Sequence, residues 1–188
     1  EYIWIDDRGT DEVLGIKKQI GEHDGLRVLI GCETEFTGRL CITEENAEKF
    51  DYILISPSHF HERGVSDRIK LENASDIRTL LIERTLTAAY QASKLPVPVI
   101  ISHPFYPLGF LHMTDEVLAG IPDRMYNEIF KTISDLGVGL ELHAGMLDCG
   151  NYNKNNNDLF ERIRFYSAAK NCGCKVTIGS DSHGADVF

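Results

Sequence analysis

The sequence predicts an α/β fold, a parallel sheet with helices packed outside it, on three observations. Five apolar, largely β-branched runs alternate with segments whose apolar residues recur at helical spacing. Each run ends, on its C-terminal side, in residues that ligate metals or handle protons: Glu33, His59, His103, Glu141 with His143, and Asp181 with His183. Successive site residues are about 26 to 44 positions apart, room for one crossover helix per unit. In a closed (β/α) barrel all strand C-termini meet on one face, so ligands far apart in sequence converge there. An open doubly wound sheet holds its site at a strand-order switch and does not naturally gather residues from five strands. Nor does the chain contain a G-x-G-x-x-G or G-x-x-x-x-G-K phosphate loop.

The elements follow in order. Val13, Leu14, Ile16 and Ile20 predict a helix over residues 11–23, with Gly25 as its C-terminal cap. A strand is expected from Leu26 to Glu33, where Glu35 shares the face of Glu33 and rivals it as a ligand. A short helix, about Thr43 to Phe50, starts with an N-cap and first-turn acids. The run from Asp51 to His59 reads as a strand buried on both faces. Residues 62–74 are uneven and charged, a loop over the site. Ser75 is expected to cap a helix whose apolar face comprises Ile77, Leu80, Leu81, Ile82, Leu86, Ala89 and Tyr90. Pro96 and Pro98 flank the strand that ends at His103, and Pro104 to Gly109 is a stiff loop near the site. Pro122 is expected as the first residue of a helix reaching Leu136, closed by Gly137. The strand Val138 to Leu142 and an asparagine-rich solvated turn, residues 150–157, lead to the final helix, about Asp158 to Asn171. That helix is expected to pack through Leu159, Phe160, Ile163, Tyr166 and Ala169. The last strand, Lys175 to Gly179, presents Asp181 and His183, two apart and so on one face.

Composition narrows the function classes. The 188 residues suffice for one well-buried core, and 43% hydrophobic with 26% charged residues is ordinary for a globular chain. No apolar run approaches the ~18 residues of a membrane helix. A net charge of −10 argues against a general nucleic-acid surface; an anionic substrate held at a metal stays compatible with it. Five cysteines, an odd count without a secretory signal, point to reduced thiols in a cytoplasmic protein. Cys172 and Cys174 lack a second pair and read as small residues at a helix-to-strand turn.

Gly31-Cys32-Glu33, Ser56-Pro57-Ser58-His59, Ser102-His103-Pro104, Leu140-Glu141 and Gly179-Ser180-Asp181-Ser182-His183 come in the order of the PHP (polymerase and histidinol phosphatase) family, which the whole chain resembles. The closing G-S-D-S-H is the most specific element. The resemblance implies a distorted (β/α)7 TIM-like barrel of the PHP type, carrying a centre of up to three metals that hydrolyses phosphoesters. It makes Glu33, His59, His103, Asp181 and His183 metal ligands, with Glu33, Asp181 and His183 in catalytic roles. By that carry-over Glu33 bridges two ions, His59 and His103 complete one, Asp181 belongs to the second and His183 to the third. The family's opening H-x-H and T-D-H strands are not in this sequence. The expectation is therefore an N-terminally truncated segment of a longer protein, a single domain over residues 1–188 that covers about strands three to seven.

The residue types carry part of this reading alone. Mixed imidazole and carboxylate ligands favour Zn, Mn or Fe, ions that activate water for in-line attack at phosphorus. A small phosphomonoester, of the histidinol phosphate type, is the expected substrate. His61 is the alternative ligand to His59, or faces the substrate; Arg63 can bind its phosphate and His143 line its pocket. For His61 and Arg63 a solvated loop is the rival reading, and for Glu141 and His143 packing below the pocket. His23 and His112 read as surface residues. The competing functions are an amidohydrolase-type C–N hydrolase, lowered by the lack of a strand-end lysine, and a non-catalytic PHP-like scaffold.

Overall fold

The computed structural model describes residues 27–60, 69–147 and 157–181, together with residues 11, 12, 14, 15, 18, 19 and 25. Within the first expected helix, Asp11, Glu12, Leu14, Gly15, Lys18 and Gln19 are helical, and Gly25 has φ 78°, the left-handed value a helix C-terminus uses. Among the described residues five strands follow: β1 (Gly31–Glu35), β2 (Tyr52–Ser56), β3 (Val99–Ile101), β4 (Gly139–His143) and β5 (Lys175–Gly179). They form one sheet, parallel throughout, in the order β1-β2-β3-β4-β5. Between them run α1 (Glu44–Ala47), α2 (Ala74–Ala92), α3 (Thr114–Ala119), α4 (Asp123–Asp135), α5 (Ala144–Leu147) and α6 (Asn157–Asn171). Among the described residues no helix is long and apolar enough to cross a membrane.

The two faces of the sheet differ. Cys32, Ile53, Val99, Ile55, Ile101 and Leu140 share one face by register and are buried, forming one apolar core with helix residues such as Ile77, Leu81, Ile129, Phe130 and Phe165. The other face carries Glu33, Leu54, Ile100 and Gly139 in register and borders a cavity of about 370 Å³ whose lining includes Tyr52, Leu54, Ile100, Glu141 and Thr177. The entry to the ladder is set by Asp51. Its carboxylate accepts the Ile30 N–H at 2.8 Å, and its own N–H donates to the Ile30 carbonyl at 2.8 Å.

Several boundaries depart from the sequence reading. β1 starts at Gly31 rather than Leu26 and runs on to Glu35, because pairing with β2 begins at Gly31↔Tyr52, where a Cβ would stand 2.3 Å from the Tyr52 ring. The cap of α2 is Asn73, whose side chain accepts the Asp76 N–H at 3.0 Å, and not Ser75. Pro122 is the N-cap of α4 rather than its first residue. Tyr90 leaves the apolar face of α2 for solvent, with the Lys94 ammonium 4.1 Å from its ring centre.

The largest correction concerns α6. Leu159, Phe160 and Ile163 are 38%, 62% and 51% exposed; Arg162, Phe165 and Ala169 form the buried side. Arg162 takes the inward position because its charge is met there: Nε donates to Asp115 at 3.1 Å and a terminal nitrogen to the Met146 carbonyl at 3.0 Å. On β5, Val176 and Ile178 are exposed as well. The four described cysteines carry free thiols, and Cys174 sits in the α6–β5 turn with Sγ donating to the Phe130 carbonyl at 3.2 Å. Residues 62–68 of the expected loop and most of the asparagine-rich turn lie outside the described residues.

Candidate metal centre

The C-terminal ends of the parallel strands bring the polar residues together. β1 directs Glu33 and Glu35 to one face. β2 stops at Ser56, where Pro57 opens a single 3₁₀ turn, Pro57–His59, that turns Ser58 and His59 over the sheet end. β3 ends one residue before Ser102 and His103. β4 carries Glu141 and His143, and Asp181 lies two residues beyond β5.

His103 has φ 30°, Asp181 φ 50°, and Phe60, directly after His59, φ 58°. Non-glycine residues reach the left-handed region at a cost of about 1–3 kcal/mol, and such strain collects at functional sites. At His103 the conformation is held from both sides. Its N–H donates to Glu141 Oε2 at 2.7 Å, and its Nδ1 is 2.7 Å from Ser58 Oγ.

Glu33, His59 and His103 each offer one donor atom, and the three atoms lie within 4.8 Å of one another. Every one of them has a polar partner that orients it. Glu33 Oε1 accepts the hydroxyls of Ser56 and Ser102, the latter at 3.0 Å, and lies 3.2 Å from His103 Nε2. Burial by itself would raise the Glu33 carboxyl pKa; the hydrogen bonds of His103, Ser56 and Ser102 and the charge of His103 outweigh it and hold the group at about 2. Glu33 is therefore ionised throughout the physiological range. His59 Nδ1 is 2.5 Å from Glu35 Oε1, and its ring stacks on His103 with centroids 4.8 Å apart. A carboxylate on one ring nitrogen fixes the imidazole with the other as ligand, the usual outer arrangement of metal-binding histidine.

Ser58 can serve His103 in either tautomer. When Nε2–H donates to Glu33, the Ser58 hydroxyl donates to Nδ1. When Nε2 gives its lone pair to a metal, Nδ1–H donates to Ser58, whose proton can turn to the His103 carbonyl at 3.4 Å. Two donors on one tetrahedral ion with bonds of ~2.0–2.1 Å stand roughly 3.4 Å apart, close to the 3.2 Å between Glu33 Oε1 and His103 Nε2. Two imidazoles and a carboxylate, preoriented and partly open at Glu33, suit a zinc-, manganese- or iron-type ion.

Beside this cluster stands a second group. His143 Nε2 is 3.9 Å from Asp181 Oδ2, and the His143 ring meets His103 edge-on at 5.8 Å. Burial, then the charge of His103, lowers the His143 pKa; burial raises that of Glu141. Gly179 leaves room for Glu141 in its present rotamer, since a Cβ there would stand 1.9 Å from Glu141 Oε1 and displace the carboxylate.

Of the residues expected from sequence, Glu33, His59 and His103 meet in one cluster, and His143 and Asp181 stand beside it. His61, Arg63 and His183 lie outside the described residues, as does His23; His112 is exposed. Glu35, the rival of Glu33, partners His59. The orienting roles of Ser56, Ser58 and Ser102 were not anticipated; the available signal was a serine directly before His59 and before His103. Nor was Arg84, buried in α2, whose Nε donates to the Pro57 carbonyl at 2.9 Å and whose terminal nitrogen donates to that of Phe36.

Comparison with protein-family models, with curated proteins and with solved structures returns no match to this chain.

Proposed function

We propose that this chain is the metal-binding part of a hydrolase that cleaves small phosphomonoesters on a PHP-type barrel. The observation that carries the reading is the Glu33–His59–His103 cluster, whose three donors come from three strand ends and lie within 4.8 Å of one another. The strand order β1-β2-β3-β4-β5 has no reversal, and that favours winding in one sense, as in a barrel, over a sheet with a switch point.

Glu33, His59 and His103 would hold a divalent ion, which would supply Lewis-acid polarisation of a phosphoryl oxygen and lower the pKa of water towards neutrality. The chain's own residues do the rest. Glu33 keeps its negative charge, with Ser56 and Ser102 fixing the carboxylate. Glu35 and Ser58 set the ring orientations of His59 and His103. Glu141 holds the backbone turn at His103. Asp181 and His143 border the same space, and in this reading they, with His183, His61 and Arg63, complete the metal centre and the substrate pocket. The cation also explains how a chain with net charge −10 accommodates a phosphate ester.

The test is phosphate release from a panel of small phosphomonoesters, with metal stripped and then restored as Zn²⁺, Mn²⁺ or Fe²⁺. Release should depend on metal and drop at least about a hundredfold in His103→Ala and Asp181→Ala, as expected when an ion loses a ligand or charge at phosphorus goes uncompensated. A folded, metal-loaded chain that releases phosphate from none of the panel would instead support a scaffold.

A further inference from the structure

His143 is 6% exposed, and neither of its ring nitrogens has a hydrogen-bond partner. Buried polar atoms without partners are uncommon, and an ion or a water missing from a structure is one standard explanation. The ring is not loosely placed. Its backbone N–H donates to Tyr166 Oη at 3.2 Å, Tyr166 in turn donates to the Glu141 carbonyl at 3.4 Å, and the Tyr106 ring packs with centroids 5.1 Å away. Gly145 makes room for it, since a Cβ there would meet His143 Cε1 at 2.7 Å.

The surrounding charge selects the kind of occupant. The ionisable groups facing His143 are His103 from the loop after β3, Glu33 on β1 and Asp181 after β5, with Glu141 two residues back on β4. Three carboxylates around one imidazole favour a cation and repel an anion that arrives alone. Two donors on one ion with bonds of about 2.0–2.2 Å stand roughly 3–4 Å apart, depending on the angle, which accommodates the 3.9 Å between His143 Nε2 and Asp181 Oδ2.

We propose that His143 Nε2 and Asp181 form a second divalent-cation position beside the Glu33–His59–His103 cluster, with His143 as its nitrogen donor. The inference rests on the metal-centre reading above and deepens it. It makes His143 a ligand, where the sequence offered it only as a lining residue of the substrate pocket.

Equilibrium dialysis of the intact chain against Mn²⁺ and Zn²⁺, with metal analysis, counts the ions bound. His143→Gln is expected to lose one ion per chain, with affinity at the remaining position kept within about threefold. Asp181→Asn, at an exposed loop position less exposed to folding defects, is expected to lose the same ion. In Co²⁺-loaded protein, proton NMR should show one hyperfine-shifted imidazole N–H fewer in His143→Gln than in the unaltered chain. The inference is overturned if His143→Gln keeps both the ion count and the NMR signals, including the case where it only weakens binding of inorganic phosphate. It is equally overturned if Asp181→Asn alone loses an ion. An unaltered chain that binds no divalent cation overturns the metal-centre reading itself. One that binds a single ion, lost in Glu33→Gln and indifferent to His143→Gln, overturns this inference alone.

Discussion

Burial raises the Glu141 pKa more than the His103 N–H and the His103 charge lower it, and the neighbouring Glu33 and Asp181 carboxylates push the same way as burial. A carboxyl whose folded pKa is raised contributes stability that is complete below its unfolded pKa and is lost as pH rises through the folded value. Ionised Glu141 therefore destabilises the metal-free chain at neutral pH. Glu141→Gln keeps an acceptor for the His103 N–H and removes the charge, so it should raise the melting temperature at pH 7.5, by about 2–4 °C for each kcal/mol gained. That gain should shrink at acidic pH, where Glu141 itself is protonated; thermal unfolding of stripped protein across pH checks it. Ser58 makes the opposite kind of prediction. Its hydroxyl is the buried partner of His103 Nδ1, so Ser58→Ala should weaken cation binding about 10–100-fold and lower the metal-free melting temperature by a few degrees, as expected when about 1–3 kcal/mol is lost at an unpaired buried nitrogen; calorimetric titration and thermal unfolding would read the two effects. The strand-end acids and histidines were legible as candidates from residue type and period. The hydroxyls were not, because a serine before a histidine gains its role only when a strand from elsewhere in the chain lies alongside.

At the scale of elements, Arg84 joins what the sequence keeps apart. From the middle of α2 its guanidinium binds the carbonyls of Pro57, in the turn that carries His59, and Phe36, directly after Glu35. It also lies 5.5 Å over the Phe36 ring. Arg84→Met leaves buried carbonyls without donors and should cost roughly 2–4 kcal/mol. It should also weaken cation binding, because both ends of the Glu35–His59 pair lose their anchor; denaturant unfolding and metal titration measure the two effects separately. Periodicity, and for α1 its N-cap and first-turn acids, found α1, α2, α4 and α6 with ends shifted by a few residues at most, since caps such as Asn73 are decided by which side chain reaches a free N–H. It missed the short helices α3 and α5, four to six residues being too few to show a period. The buried side of α6 was misassigned for a different reason. A helix with apolar residues on two sides has no preferred face until its neighbours exist, and Asp115 with the Met146 carbonyl drew Arg162 inward.

For the whole molecule, the parallel arrangement means that an ion at Glu33, His59 and His103 would couple β1, β2 and β3 at once. A ligand that binds only the folded chain stabilises it by about 2.7 kcal/mol at a concentration a hundred times its Kd. Saturating Zn²⁺ or Mn²⁺ should therefore raise the melting temperature by roughly 5–10 °C, and Glu33→Gln should abolish most of that shift in a thermal scan. The alternation of strand and helix, the parallel sheet and the set of polar residues at strand ends follow from the sequence alone. Local periodicity decides whether a segment is helix or strand, and connections long enough to carry a helix return the chain so that neighbouring strands run parallel. Only the tertiary structure decided that Glu33 rather than Glu35 joins His59 and His103, which hydroxyls orient them, and that His143 is buried with both ring nitrogens unsatisfied. Those outcomes depend on strand register and left-handed turns, where a shift of one residue sends a side chain to the opposite face.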